Sequence, residues 1–162
     1  MGYGTVWRAG NPDEARLWWE NRFPRRRLEV YLKFVTELEL QCLRAAIHQA
    51  PRTVAEIIRE VKVQNHLFPA DGTPECEAWY QNMQGSPNPI DLVLPEFVAE
   101  LRAVAGEVEA VAARWHALWD AGSPLALEHA VCCLRELTDF AVATGRKKMG
   151  VLSRMTGLSA GG

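Results

Sequence analysis

Several kinds of segment are missing from this sequence of 162 residues, and each absence narrows the expected fold. No uninterrupted apolar run reaches the ~18 residues that a membrane-spanning helix needs, so we expect no membrane partner. The N-terminus, Met1–Gly4, lacks the basic and apolar regions of a signal peptide, which favours a cytoplasmic location. No segment alternates apolar and polar residues over six positions between turn signals, so the sequence predicts no strand.

The motifs of familiar enzyme classes are also missing. The sequence has no Gly-rich phosphate loop, no Gly-x-Ser-x-Gly elbow and no His-Glu-x-x-His pair. A ferritin-like di-iron centre needs Glu-x-x-His pairs on two helices, whereas Glu128 and His129 are adjacent here. We therefore expect a protein without a cofactor that is not an enzyme, although catalysis stays open as an alternative.

The four cysteines match neither a zinc-finger spacing nor a CxxC redox motif. We expect them to be reduced and buried as small apolar side chains. One grouping has metal-ligand chemistry, because His129 lies three and four residues before Cys132 and Cys133 on a predicted helix. A further ligand would have to come from elsewhere, and the candidates are His48, His66 and His116. The sequence therefore commits to no metal site.

Helix signals, by contrast, are frequent. Asn11-Pro12-Asp13-Glu14 has an N-cap residue, a proline at the first helical position and acids in the first turn. Thr53 and Glu56 have the spacing of a capping box, and Thr73-Pro74 marks another helix start. Together with apolar stripes at three- and four-residue spacing, these signals predict seven helices. They lie at about 12–22, 25–49, 53–65, 73–85, 95–121 and 123–144, with a last short helix ending at Gly157.

These helices predict an all-α fold over residues 1–162, an antiparallel helical bundle of three to four long helices with short helices packed across the ends. Residues 1–24 are expected to form an N-terminal docking segment, and residues 67–94 an irregular connection with a short helix. Residues 67–122 carry nine acidic and two basic side chains, although the whole chain is only at −2. Such a separation suits an acidic and a basic face that contact different neighbours or copies of the same chain, but long helices with solvated charged faces also produce it. A dedicated nucleic-acid binder is usually more basic than this chain.

The N-terminal segment holds the strongest candidates for a binding surface, because tryptophan and arginine dominate interface hot spots. The candidate partner-binding residues are Trp7, Trp18, Trp19, Arg22, Phe23, Arg25, Arg26 and Arg27. They would either dock a protein subunit or bind phosphates with stacking aromatics. A third interpretation has the two adjacent tryptophans closing the end of the bundle, with the arginines in solvent.

The leading hypothesis is a non-catalytic helical interaction or assembly subunit, which self-associates as a homo-oligomer or joins a larger complex. The first alternative is a nucleic-acid-binding small subunit or regulator that uses the Arg25–Arg27 patch. The second is a small-molecule binder or enzyme with an aromatic pocket between helices. That pocket would be lined by Trp79, Tyr80, Trp115, His116 and Trp119.

Overall fold

A computed structural model of the chain describes residues 3–49, 51–82, 88–118 and 125–157. Within them the fold is mixed α/β, so the all-α bundle expected from the sequence is wrong. The strands are β1 (Gly4–Ala9), β2 (Glu29–Lys33), β3 (Gln64–Phe68), β4 (Ile90–Val93) and β5 (Val151–Thr156). The helices are α1 (Ala15–Trp19), α2 (Glu37–His48), α3 (Val54–Glu60), α4 (Pro74–Gln81), α5 (Pro95–Ala103), α6 (Val108–Ala117) and α7 (Leu127–Lys147). No helix in these ranges is long and apolar enough to cross a membrane.

The five strands form one antiparallel sheet in the order β2-β1-β5-β4-β3. The first and last strands of the chain therefore pair with each other at its centre, where Trp7 lies opposite Ser153. The strands β2 and β3 form the two edges, since each pairs with a single neighbour. The register of β3 shifts between His66 and Phe68, whereas β2 pairs with β1 without interruption.

Each face of the sheet is covered by its own apolar cluster. On one face, Trp7, Leu32 and Val93 pack into the main core with α2, α5, α6 and α7. On the other face, Ile90 and Leu152 pack against α1 through Trp18. Alternate strand residues point to opposite faces, so the three inner strands β1, β5 and β4 contribute to both clusters, whereas β2 contributes to the first and β3 to the second.

Several helix starts predicted from the sequence are confirmed. The Thr53 hydroxyl accepts a hydrogen bond from the backbone of Glu56 at the start of α3. The hydroxyl of Thr73 accepts one from the Cys76 backbone at the start of α4. A cap depends on residues three apart in sequence, so it can be predicted from the sequence without knowledge of the tertiary contacts.

The long helix predicted at 25–49 is wrong in its first half, which forms β2. Leu28, Tyr31 and Leu32 do have helical spacing, but Val30 and Leu32 also fit the two-residue repeat of a strand. Helix α2 begins only after Thr36, where Glu39 completes a capping box.

Other boundaries also differ from the prediction. The helix expected at 95–121 is two helices, α5 and α6, with a break between them that contains Gly106. The helix expected after residue 148 is the strand β5, and the connection at 67–94 ends in the strand β4. The helix expected at 12–22 is a 3-10 turn, Pro12–Glu14, followed by the short α1. Ser123 and Pro124, predicted to start α7, lie outside the described residues.

Candidate functional site at an open edge of the sheet

Within the part of the chain that the structure describes, no strand pairs with the outer side of the edge strand β2. At its two ends, Ala9 N–H donates to the Leu28 carbonyl and Phe34 N–H donates to the Tyr3 carbonyl. An antiparallel ladder bonds alternate residues, so the even-numbered residues of this segment bond to β1. The N–H and C=O groups of Glu29, Tyr31 and Lys33 therefore point away from the sheet.

The helix α7 runs beside this open edge and closes one end of it. His129, near the start of α7, lies with its Nε2 atom 2.6 Å from the Lys33 carbonyl oxygen, so one outward group of β2 already has a partner. Further along α7, Phe140 and Ala143 lie beside Leu28. The helix thus contacts β2 while leaving the backbone of Glu29 and Tyr31 accessible.

Between β2 and α7 lies a groove of about 580 Å³. Its lining residues are Leu28, Glu29, Val30, Tyr31, Glu136, Asp139, Phe140 and Ala143. Tyr31 is 44% exposed, whereas Phe140 is buried at the groove's base. The groove therefore combines an apolar floor, an exposed aromatic side chain and open strand backbone, which is the composition of a peptide-binding site.

The side chains around this groove make it acidic. Glu29 forms an ion pair with Arg8, and Nε of that arginine lies 2.5 Å from its carboxylate. Glu136 and Asp139 are exposed on α7, and neither forms an ion pair among the described residues. Two carboxylates are thus available to positively charged groups that enter the groove.

Most aromatic residues of the expected N-terminal docking segment are covered by other parts of the chain. Trp7 is fully buried in the main core, with its ring edge-on to Phe97. Trp18 is also buried, and Trp19 and Phe23 pack around the second core. The structure thus places these aromatic rings mainly in intramolecular contacts.

Arginines fill the spaces over these rings. The guanidinium of Arg8 lies 4.6 Å from the centre of the Trp18 ring, and that of Arg154 lies 5.6 Å from the Trp19 ring. Burial, and then the charge of Arg8, lower the pKa of Arg154. This arginine, on the last strand, was not singled out from the sequence, and it joins β5 to α1.

The four arginines predicted to bind a partner differ in exposure. Arg27 is partly buried and donates to both carboxylate oxygens of Glu14, which holds the pKa of that carboxyl below its usual value. Arg22 lies 3.3 Å from Glu20. Arg25 and Arg26 are exposed. The basic patch is thus one structural arginine beside three surface ones, and nucleic-acid binding by it stays a prediction.

The aromatic residues predicted to form a pocket lie in two different places. Trp115 is fully buried, and its Nε1–H donates to the Glu39 carbonyl at 2.8 Å. His116 follows it on α6. Trp79 and Tyr80 lie on α4, where Trp79 stacks on the ring of His66. The fifth member, Trp119, lies outside the described residues.

The predicted metal-like group has other contacts. Cys133 Sγ lies 3.4 Å from the same Nε2 atom of His129 that contacts the Lys33 carbonyl. Burial, together with Glu136, raises the pKa of the Cys133 thiol to about 12. Cys132, the residue before Cys133 on α7, is exposed. His129 therefore contacts both Cys133 and the Lys33 end of β2, and a thiolate at Cys133 is disfavoured.

Sequence reasoning missed the residues that form the groove, namely Glu29, Tyr31, Glu136 and Asp139. In Glu-Val-Tyr-Leu-Lys the aliphatic residues Val30 and Leu32 alternate with Glu29, Tyr31 and Lys33. This alternation was a possible strand signal in the sequence, although it covers only β2. The three-residue spacing of Glu136 and Asp139 puts them on one side of α7. Nothing local indicates that this side lies beside a strand.

Comparison with known proteins adds no information about this site. No protein-family model, no curated protein and no solved structure matches this chain significantly. The evidence for function is therefore the geometry and chemistry of the chain's own side chains.

Proposed function

We propose that this chain is a non-catalytic interaction protein that binds an extended basic segment of a partner protein along β2. The observation that supports this is the open backbone of Glu29 and Tyr31 beside the carboxylates of Glu136 and Asp139. An added strand would form main-chain hydrogen bonds with β2. Its lysine or arginine side chains would meet the acidic rim, which favours basic sequences over others.

A second copy of the chain suits the groove less well. If two β2 strands paired antiparallel about Tyr31, Glu29 of one copy would face Lys33 of the other, which is favourable. The two α7 helices would then approach across the two-fold axis on one face of the joined sheet. Their exposed Glu136 and Asp139 side chains would repel each other, and a basic foreign strand avoids this cost.

Peptide binding tests the proposal directly. A short fluorescent peptide that alternates lysine and valine should bind, and higher salt should weaken it by screening the charges. A matched peptide that alternates glutamate and valine should not bind. Equal binding of the two peptides, or binding of neither, would exclude an acidic strand-accepting groove. A stable dimer of the free protein in sedimentation would favour self-association instead.

Two variants locate the binding site. Tyr31→Pro removes an outward N–H of β2 and should abolish binding, whereas Tyr31→Ala keeps that donor and should retain measurable affinity. Glu136→Lys should lower the affinity about tenfold because it places a like charge in the groove. Glu96→Lys on α5 changes the net charge equally and should leave the affinity unchanged. An equal loss of affinity in this control would show that the peptide is attracted by the net charge of the protein and not by the groove.

A cytoplasmic location is part of this proposal. It is supported by the four cysteines, which are all unpaired and of which three are buried, as expected in a reducing compartment. Fractionation of the native cells, followed by immunodetection, checks the location. Recovery in an extracytoplasmic fraction would contradict it.

A further inference from the structure

A cluster of metal-ligating side chains lies at the other edge of the sheet, remote from β2 in the strand order. His66 lies on β3, Asp71 in the turn that follows and Cys76 in the first turn of α4. Gly72 has a φ of +79°, a left-handed conformation that glycine adopts without strain. The Asp71-Gly72 turn thus brings the chain back towards His66, and Thr73 then caps α4.

The three potential ligand atoms are close to one another. Asp71 Oδ1 lies 4.0 Å from His66 Nε2 and 3.9 Å from Cys76 Sγ, and all three atoms lie within 4.8 Å of one another. Ligands around tetrahedral zinc, with bonds of ~2.0–2.3 Å, are separated by roughly 3.3–3.8 Å. A small contraction therefore brings nitrogen, oxygen and sulfur to bonding distance from one ion.

The histidine is supported from behind, as metal-bound histidines are. Its Nδ1 atom lies 3.7 Å from Asp91 Oδ1 on the neighbouring strand β4. The other oxygen of that carboxylate accepts a hydrogen bond of 2.9 Å from Gln64. Trp79 stacks on the His66 ring at an angle of 19°. A carboxylate in this position would stabilise the tautomer that carries its proton on Nδ1, which leaves Nε2 to bind a metal.

We propose that His66, Asp71 and Cys76 bind a zinc ion through Nε2, a carboxylate oxygen and Sγ, with Asp91 orienting the histidine. Zinc accepts nitrogen, oxygen and sulfur ligands together, which suits this set. Cys76 is 3% exposed and Asp71 has 82% of its side chain exposed, so the ion would be anchored from inside and open to solvent outside. That leaves the fourth position to a water molecule.

Metal binding requires a rearrangement of protons at this cluster. In the structure His66 Nε2 is hydrogen-bonded to the Pro69 carbonyl. Zinc would take the place of that bond, and the ring proton would move to Nδ1, facing Asp91. The Cys76 thiol would release its proton to solvent, so one proton leaves for each zinc ion bound and the affinity should rise with pH.

Cobalt titration of the purified full chain tests the proposal, because cobalt replaces zinc and a cobalt–thiolate bond absorbs in the near ultraviolet. We expect this band to appear at one equivalent and to be removed by zinc. It should be absent in Cys76→Ser and retained in Cys132→Ser, which alters the exposed cysteine of α7. No band in the native chain, or loss of the band only in Cys132→Ser, would overturn the assignment.

Two further variants separate ligand loss from unfolding. Asp71 is at the surface, so Asp71→Asn should leave the circular dichroism unchanged while lowering zinc affinity. Asp91→Asn should lower the affinity about 10–100-fold without removing the cobalt–thiolate band, since it acts only through His66. Unchanged zinc affinity in both variants would exclude this site even if the cysteine variant failed to fold.

Discussion

The two edges of the sheet differ in what they present to the surroundings. At β2 the pairing is regular, and the outward groups of Glu29 and Tyr31 are backbone atoms beside an acidic groove. At β3 the register shifts after His66, and the chain returns to place side chains of Asp71 and Cys76 around that histidine. A regular edge can pair with another strand, whereas a bulge ends pairing and redirects side chains.

The helices next to the two edges reinforce this difference. The long α7 lies along β2 and contributes carboxylates that face outward. Near β3, the short α4 contributes Cys76 and Trp79, which lie against His66. One edge therefore suits an extended protein segment, and the other suits a small ion.

The largest expected effect concerns the alternation of backbone groups in β2. Leu32→Pro should destabilise the fold by about 3 kcal/mol or more, because it removes a ladder donor and a fully buried side chain. Tyr31→Pro, one position earlier, should stay within about 1 kcal/mol of the native chain. Urea unfolding measures both. Equal losses in the two variants would show that the outward groups of β2 are not free.

A pH effect should arise beside the β3 edge. Burial, and then the charge of Glu37, raise the pKa of Asp91 to about 6 from 3.8, although His66 lowers it. Because the folded-state pKa is the higher one, ionised Asp91 opposes folding above about 6. Protonation relieves this cost as the pH falls, and the gain is complete below 3.8.

The size of this effect is on the order of 3 kcal/mol, since one unit of pKa corresponds to about 1.4 kcal/mol. Asp91→Asn cannot ionise, so its unfolding free energy should lack this component between pH ~7 and pH ~4. Urea unfolding with a chelator present measures both proteins, and contributions of other groups cancel in the difference. Parallel pH profiles would show that the carboxyl of Asp91 is not destabilised by its surroundings.

A smaller effect is expected in the basic segment that leads into β2. Arg27→Ala should cost about 1–2 kcal/mol, because it leaves the partly buried Glu14 without its charged donor. Arg25→Ala removes an exposed charge and should change stability by less than about 0.5 kcal/mol. Thermal unfolding compares them. A larger loss for Arg25→Ala would mean that the exposed arginine also supports the β2 edge.

The smallest expected effect concerns the Lys33 end of β2, which His129 contacts. His129→Ala frees the Lys33 carbonyl, which gives an added strand one more acceptor. Affinity for the alternating lysine–valine peptide should rise about threefold, a typical net contribution of one hydrogen bond. Fluorescence anisotropy measures it. A decrease would indicate that His129 binds the peptide and does not limit the open edge.

Local signals were sufficient to predict some elements of this fold. Thr53 and Thr73 were identified as helix starts, and their hydroxyls do cap α3 and α4. The predicted helix start at residue 95 was likewise correct, since α5 begins at Pro95. The strands were not predicted, because Glu29–Lys33 and Val151–Thr156 are short and their apolar residues also fit a helical repeat.

The candidate sites were predicted even less well. The groove combines segments that are far apart in the sequence, whereas the three proposed metal ligands are close in sequence but do not match a known metal-binding spacing. The groove joins β2 to the distant α7, and the proposed metal cluster depends on Asp91 of β4 behind His66. His66 was considered only as a partner for His129, which instead contacts the Lys33 carbonyl. The sequence shows which side chains have functional groups, but it does not show which of them lie close together in the folded chain.

The sequence by itself determined where α3 and α4 begin, because a cap and the amide it satisfies are about three residues apart and need no other part of the chain. It also determined that the chain is rich in tryptophan and arginine, though not that they stack within the molecule. Tertiary structure alone decided that β1 and β5 pair and that β2 and β3 are edges. A strand forms its hydrogen bonds with a segment that is remote in the sequence. Its stability, its position at an edge and any site beside it therefore depend on the tertiary structure.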